Sequence, residues 1–345
     1  MIRLGVDAWN LPGDRRGIGR YVREVLRAWD RGYRERVEVT LVVPEWPAFT
    51  TARRYRAEAD DRPYRVVSRR FHGLAGLDAL WFPFNGCSWT QFSLPAVATL
   101  HDASNFVVPG YAPETQAIFR AAAERCSALI TVSHFAQADL SRALAIPVER
   151  LAVVYSGVAP PRPVRPVALD VTAFSPFVLY VGAAEARKGF DTLVEAMALA
   201  QRERPELALV ATSDVAQWRD AFHALPRATA LGYVDDDTLA ALYRACALLA
   251  FPSRYEGFGF PVIEAMSYAA PVVASNATAV PEAGGDAACY VAPNDPGALA
   301  AAILRVYGDA PYACKLRALG PPHAATFTWD RTARETLDVI ERMLA

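Results

Sequence analysis

The sequence predicts an α/β protein made of two Rossmann-like α/β/α domains that face a central cleft. Strand-like and helix-like segments alternate along the chain, as they do in a parallel sheet covered by helices. The length of 345 residues suits two domains of ordinary size. A proline-rich segment at 159–176 interrupts the alternation, and proline can neither continue a helix nor donate to a sheet ladder. The chain is therefore expected to divide there.

Four parts are expected along the chain. They are an N-terminal domain at 1–160, a linker at 161–176, a C-terminal domain at 177–328 and a terminal helix at 329–345. No strand-like segment follows the terminal helix, which we expect to pack back on the N-terminal domain. Open α/β sheets bind their ligands at the carboxyl ends of the strands. The loops that follow the strands are therefore the expected place of a functional site.

Composition limits the class of protein. Hydrophobic residues make up 53% of the chain and charged residues 21%, which indicates a soluble globular protein. No apolar run reaches the roughly 18–20 residues that span a bilayer, and the N-terminus is typical of a strand rather than of a signal peptide. The five cysteines are scattered, which argues against a disulfide framework or a zinc site. We expect a cytoplasmic protein, and the net charge of −1 does not indicate a nucleic-acid partner.

Positive charge is concentrated in the first part of the chain. Residues 1–160 carry 20 arginines, no lysine and 16 acidic residues, and hence a net charge of +4. Part of the excess is a cluster of arginines: Arg53, Arg54, Arg56, Arg62, Arg65, Arg69 and Arg70. Two interpretations stay open, a solvated surface and a peripheral contact with an anionic membrane or acceptor.

The strongest motif is EGFGFPVIE, which begins at Glu256 and ends at Glu264. Gly257, Phe258 and Gly259 form a tight turn after a strand-like segment, and the proline that follows suits the first position of a helix. Free backbone N–H groups at a helix N-terminus make a ready anion site. The turn therefore predicts a binding site for an anionic group.

The two glutamates of this motif can face one ligand. Glu256 lies just before the turn, and Glu264 lies one turn into the helix. Carboxylates accept hydrogen bonds well from sugar hydroxyls, so the pair could hold the ribose and the hexose of a nucleotide sugar. The structural alternative is a glycine turn with a capping acid.

A basic pair, Arg187-Lys188, opens the first helix of the C-terminal domain. The sequence has only two lysines, Lys188 and Lys315, so a lysine at this helix start is a specific choice. A compact ammonium beside a guanidinium suits a diphosphate, which gains negative charge as it leaves. The alternative is a solvated basic pair, which the helix macrodipole would disfavour.

Three weaker features complete the set. Gly17 and Gly19 lie in a glycine turn before the first long helix, and His101 ends a strand-like segment. The structural alternative for the glycine turn is a simple loop, and the alternative for His101 is a histidine with a structural role. The three aspartates at 235–237 precede a helix, so helix capping explains them better than a metal site does.

Taken in order, these motifs resemble those of glycosyltransferase family 4, whose members are retaining enzymes with the GT-B fold. The segment from Glu256 to Glu264 is similar to the E-x7-E signature of the family, and the resemblance extends over nearly the whole chain. It implies that Glu264 binds ribose hydroxyls and that Glu256 approaches the transferred sugar. It also implies that Arg187 and Lys188 bind the diphosphate.

The resemblance assigns further roles. It implies that Gly17 and Gly19 face the donor phosphates, that His101 contacts the donor sugar and that the backbone at Val234 meets the base. The residues expected to act in catalysis are His101, Arg187, Lys188 and Glu256. No metal and no cofactor besides the nucleotide sugar is expected. One departure concerns the turn at 211–214, which lacks the glycine that family members commonly have and leaves the contacts to the nucleoside open.

The function implied is the retaining transfer of a hexose, first of all mannose from GDP-mannose, to a hydroxyl of a saccharide or lipid-linked acceptor. Cell-surface polysaccharide or lipopolysaccharide synthesis is the expected setting. Alternatives of the same fold are a UDP-sugar-dependent transferase and a disaccharide synthase or phosphorylase. An alternative of another class is a non-catalytic nucleotide-sugar-binding protein. A nicotinamide dehydrogenase is disfavoured, because the first βα turn lacks GxGxxG.

Overall fold

A computed structural model describes most of the chain. The described residues are 1–14, 17–44, 49–59, 62–70 and 73–345, with side chains described from Thr51 onward in the second helix. Arg15 and Arg16 of the predicted glycine turn lie outside these residues.

The chain divides into two compact units. The first unit is Met1–Gly157 together with Thr328–Ala345, and the second is Val158–Phe327. The proline-rich segment thus belongs to the second unit, where Arg162 pairs with Asp236 at 2.6 Å. The main-chain N–H of Arg162 also donates to the hydroxyl of Tyr268 at 3.0 Å.

A parallel sheet forms the centre of the first unit. Its strands are β1 (Ile2–Asp7), β2 (Val37–Val43), β3 (Arg65–Ser68), β4 (Ala79–Phe82), β5 (Ala96–Thr99), β6 (Ala128–Thr131) and β7 (Leu151–Val153). Their order is β3-β2-β1-β4-β5-β6-β7. The central strands β4 and β5 are buried along their whole length, as expected for a parallel sheet with both faces covered.

Helices cover this sheet. They are α1 (Gly17–Gly32), α2 (Phe49–Ala57), α3 (Ser104–Val107), α4 (Pro113–Arg125) and α5 (His134–Leu144). The buried face of α1 consists largely of the apolar residues that helical spacing places on one side, including Tyr21, Val25 and Trp29.

The second unit repeats the plan. Its strands are β8 (Phe177–Tyr180), β9 (Ala208–Ala211), β10 (Ala228–Ala230), β11 (Leu248–Phe251), β12 (Val272–Ser275) and β13 (Cys289–Val291). All pairs formed by these strands are parallel, and the order is β10-β9-β8-β11-β12-β13. This is the order of a Rossmann sheet, and the predicted α/β class is confirmed in both units.

The helices of the second unit are α6 (Phe190–Glu203), α7 (Arg219–His223), α8 (Asp236–Ala245), α9 (Phe260–Ser267), α10 (Val280–Gly284), α11 (Pro296–Gly308) and α12 (Ala310–Ala324). Helix α9 begins one residue before Pro261, the predicted first residue. The carboxylate of Asp235 caps α8 by accepting the N–H of Thr238 at 2.7 Å. Capping therefore explains Asp235, whereas Asp236 and Asp237 pair with Arg162.

The terminal helix α13 (Trp329–Leu344) belongs to the first unit. The indole N–H of Trp29 donates to the carbonyl of Ala333 at 2.8 Å, and Arg36 pairs with Asp338 at 2.7 Å. The five cysteines are free thiols. No helix within the described ranges is long and apolar enough to cross a bilayer.

Candidate active site

Two loops of the second unit lie side by side because their strands pair. Strands β8 and β11 are hydrogen-bonded neighbours, with Leu248 opposite Val178, and the chain runs outward from them in opposite directions. This topological switch point is where Rossmann sheets bind ligands. The loop after β8 carries Arg187 and Lys188, and the loop after β11 carries Glu256. The topology thus gathers the strongest sequence motifs at one edge.

A glycine allows the two loops to touch. The turn Ala186–Lys188 ends at Gly189, which has a φ of +68°. A Cβ there would lie 2.1 Å from the carbonyl oxygen of Pro252, in the loop after β11. Both the left-handed conformation and the contact therefore require glycine.

Lys188 and Glu256 form a close ion pair across these loops. The ammonium nitrogen of Lys188 lies 2.6 Å and 2.7 Å from the two carboxylate oxygens of Glu256. The side chains are 19% and 10% exposed, respectively. The sequence predicted both residues in the site but not their pairing. A half-buried cation and its counter-ion therefore stand together where an anionic ligand would enter.

Arg187 is held at the same place by the main chain. Its guanidinium donates to the carbonyl of Tyr255 at 3.1 Å and lies 3.4 Å from a carboxylate oxygen of Glu185.

Burial and the neighbouring Glu256 carboxylate raise the pKa of Tyr180, the last residue of β8. The phenol of Tyr180 is thus neutral and donates to the carbonyl of Ala183 at 2.6 Å.

The loop after β11 that carries the predicted glycine turn leads directly into α9. Gly259 has a φ of +117° and precedes α9, and the N–H of Glu256 donates to the hydroxyl of Thr278 at 3.0 Å. The side chain of Phe258 is buried and packs edge-on against Phe260 and Phe327. Of the predicted donor-binding residues, Phe258 can therefore contribute its backbone but not its ring.

Glu264 lies in α9, buried beside an aromatic residue. The hydroxyl of Tyr243, in α8, donates to its carboxylate at 3.0 Å. Tyr243 also stacks on Tyr268 with ring centroids 5.6 Å apart. Val234 lies half-buried in the loop between β10 and α8, next to Tyr233, which is 67% exposed.

His101 lies two residues after the end of β5 in the first unit and is buried. Its Nε2 lies 3.0 Å from the carbonyl oxygen of Pro83, and its ring meets the ring of Tyr21 edge-on at 4.8 Å. Burial lowers the pKa of His101, so the ring is neutral at pH 7. Nε2 then carries the proton that the carbonyl accepts, and Nδ1 is the acceptor.

Gly17 and Gly19 of the predicted glycine turn lie in the first turn of α1. Gly17 has a φ of +46°, and a Cβ on Gly19 would lie 1.8 Å from the carbonyl oxygen of Asp14. Arg23 holds the turn through the carbonyls of Asp14 at 2.9 Å and Leu11 at 2.7 Å. Both glycines therefore have local structural reasons, and their contact with phosphates stays a prediction.

Asp7 is a buried carboxylate at the end of β1. It accepts the hydroxyl of Ser88 at 2.6 Å, and burial raises its pKa to about 6. Since the folded state holds this proton more tightly than the unfolded chain, stability is lost as pH rises from about 4 through 6, by about 3 kcal/mol.

Asp7→Asn is expected to stabilise the protein at pH 8 and to do so much less at pH 5, because the amide keeps an acceptor but cannot ionise. Melting temperatures of variant and parent at both pH values measure this. Asp78→Asn is the control, since the ion pair with Arg3 holds the pKa of Asp78 at about 2, far below this window. A gain that is equal at pH 5 and pH 8 would contradict the assignment.

Three residues of the second unit matter to the site although the sequence did not mark them. Tyr243 orients Glu264, Thr278 holds the main chain at Glu256, and Arg254 joins the two loops. Tyr243 carried no signal, whereas Arg254 lies two residues before Glu256. Within the described ranges, no group of three or more His, Cys, Asp or Glu side chains could hold a metal ion.

Comparison with known families adds two matches. Residues 175–309 match the model of "Glycosyl transferases group 1", and residues 15–162 match that of "Glycosyltransferase Family 4". A curated relative, the O-antigen chain mannosyltransferase B of Escherichia coli, is 31% identical over 300 residues, which cover 80% of this chain and 78% of the relative.

Solved structures agree with the fold. The Anabaena protein Alr3699/HepE in complex with UDP and glucose covers 99% of this chain and 100% of its own, with a TM-score of 0.75 and 18% identity. The sucrose-phosphate synthase of Thermosynechococcus elongatus covers 99% of each chain, with a TM-score of 0.74 and 21% identity. At these identities the likeness concerns the fold alone, and it confirms the predicted GT-B class.

Proposed function

The chain belongs to glycosyltransferase family 4, and on that basis we propose that it transfers a hexose from a nucleoside diphosphate sugar to an acceptor hydroxyl. The observation that carries the proposal is the Lys188–Glu256 pair at the switch point of the second sheet, with Arg187 beside it. A diphosphate supplies the anion for the two cations, and a hexose supplies hydroxyls for the carboxylate. One donor therefore satisfies all three side chains.

In the proposed reaction the bond between the anomeric carbon and the diphosphate oxygen breaks, and charge builds on the leaving phosphate. Lys188 and Arg187 stabilise that charge where it develops. The acceptor oxygen attacks the oxocarbenium-like carbon from the same face, and its proton passes to the departing phosphate oxygen. The configuration is thereby retained. The two cations provide the charge stabilisation, so the step is proposed to need no metal.

GDP-mannose is the proposed donor and mannose the proposed transferred sugar, supported by the relative named as an O-antigen chain mannosyltransferase. A UDP-sugar is the second candidate, favoured by the fold neighbour that was solved with UDP. For the acceptor we propose a saccharide or lipid-linked saccharide in cell-surface glycan synthesis. A cytoplasmic protein at the inner face of the membrane, with the arginines between Arg53 and Arg70 near it, fits that acceptor.

A panel of nucleotide sugars tests the donor and the stereochemistry. GDP-mannose, GDP-fucose, UDP-glucose, UDP-galactose and ADP-glucose are each incubated with the protein, and slow hydrolysis is followed by NMR. We expect cleavage of GDP-mannose above all, with α-mannose as the first-formed product. Preferential cleavage of a UDP-sugar would mean that a UDP-sugar, and not GDP-mannose, is the donor. A first-formed β-mannose would overturn the proposed retention of configuration. Binding without any cleavage or transfer would favour a non-catalytic nucleotide-sugar-binding protein.

A further inference from the structure

We propose that Arg254 is a positioning residue that holds the Arg187–Lys188 turn in the geometry a diphosphate requires. The inference rests on the proposed function, because it concerns the same anion site. Arg254 belongs to the loop after β11, two residues before Glu256. Neither the family resemblance nor the motifs assigned it a role.

The contacts of Arg254 reach both ends of the turn that carries the basic pair. Its guanidinium donates to the carbonyl of Ala186, at the start of that turn. It also pairs with the carboxylate of Asp191 at 2.6 Å and donates to the hydroxyl of Thr192 at 3.0 Å. Asp191 and Thr192 lie in the first turn of α6, directly after the basic pair. The side chain thus spans the turn from one end to the other.

The main chain of Arg254 makes a further bond to the turn. Its N–H donates to the carbonyl of Arg187 at 2.9 Å. Its Nε donates to the side-chain oxygen of Asn294, in the loop after β13. Three loops at the carboxyl edge of the sheet are therefore tied together through one residue.

These contacts indicate positioning rather than ligand binding. A guanidinium has five N–H donors, and bonds to Ala186, Asp191, Thr192 and Asn294 occupy four of them. Little donor capacity is left for a phosphate. Lys188 differs, because its ammonium faces the side chain of Glu256 rather than the main chain.

Arginine is specifically suited to this work. The planar fork lets one side chain meet a carbonyl, a carboxylate and a hydroxyl at fixed angles, whereas an ammonium is a point donor on a flexible stem. Loss of the fork would leave the Ala186 carbonyl and the Asp191 carboxylate without this partner. The turn could then shift, and Lys188 and Arg187 would shift with it.

Binding of nucleotides to variants tests the proposal. The parent protein, Arg254→Met and Arg254→Lys are titrated calorimetrically with GDP and GMP, and with UDP and UMP. For the base that the parent prefers, Arg254→Met is expected to weaken diphosphate binding about tenfold and monophosphate binding by less than about twofold. The diphosphate affinity of Arg254→Lys is expected to lie between those of the parent and Arg254→Met, because lysine restores the charge but not the planar fork.

Arg317→Met is the matched control. Arg317 lies in the same unit and donates to the carbonyls of Ala269 at 3.1 Å and Ala247 at 3.3 Å, away from both loops. Its removal should lower the melting temperature and leave the ratio of diphosphate to monophosphate affinity unchanged. A purely structural Arg254 would behave in the same way, and an unchanged ratio in Arg254→Met would overturn the inference.

If Arg254→Met does not fold, Asp191→Asn decides, because it weakens one bond of the clamp and should lower the same ratio by a smaller factor; an unchanged ratio overturns the inference. If the parent binds neither GDP nor UDP, the proposed function fails. Binding that is lost in Lys188→Ala but not in Arg254→Met leaves the function standing and removes only the role of Arg254.

Discussion

Lys188→Ala is expected to lower kcat/KM for the donor by about 10²- to 10³-fold, the usual effect of removing one donor that stabilises a developing anion. Two physical effects act in the same direction. The leaving diphosphate loses its ammonium partner, and the buried carboxylate of Glu256 loses the cation 2.6 Å away. An uncompensated carboxylate beside a diphosphate repels it, so binding weakens as well as turnover.

Donor hydrolysis and calorimetric binding of GDP measure these two effects. Lys315→Ala is the matched control, because Lys315 is the other lysine of the sequence and lies exposed on α12. We expect it to leave both quantities unchanged. Equal behaviour of the two lysine variants would rule out Lys188 as a diphosphate ligand.

Glu264→Gln is expected to weaken the binding of GDP, and of GDP-mannose by the same factor, about 10- to 100-fold. A carboxylate that accepts hydrogen bonds from two ribose hydroxyls contributes about 1.5–3 kcal/mol for each charged bond, and an amide accepts them less strongly. Glu256→Gln should differ, since its proposed partner is the hexose. Glu256→Gln should weaken the binding of GDP-mannose much more than the binding of GDP.

Tyr243→Phe gives the control for orientation. The tyrosine hydroxyl donates to Glu264 at 3.0 Å, so its loss should weaken GDP binding by about fivefold, the value of one ordinary hydrogen bond. Glu264→Gln would contradict the ribose assignment if it left GDP binding intact. It would equally do so if it affected only the mannose-bearing ligand.

The order of strands and helices was predictable because the sequence of a parallel sheet contains short apolar runs separated by amphipathic helices. The location of the candidate site was inferred from glycines and charged residues placed directly after strands. Gly189 shows how far such local signals reach. Its sequence context predicts a helix start, and the contact that requires glycine is with Pro252, in another loop.

Contacts between distant residues were not predictable. Lys188 and Glu256 are 68 positions apart, and only the pairing of β8 with β11 shows that they meet. Tyr243 and Arg254 act on the candidate site through such contacts. Neither contact is visible in the sequence, although Arg254 lies two residues before Glu256. Phe258 is the opposite case, since it lies in the strongest motif and yet its ring belongs to the core.

A crystal structure of the protein soaked with GDP-mannose tests the central claim most directly, because the claim is about where a donor binds. The predicted result is a diphosphate with oxygens about 3 Å from the Lys188 ammonium, the ribose on Glu264 and the mannose hydroxyls on Glu256. A nucleotide bound elsewhere, or bound here with its ribose away from Glu264 and its phosphates away from Lys188, would contradict it.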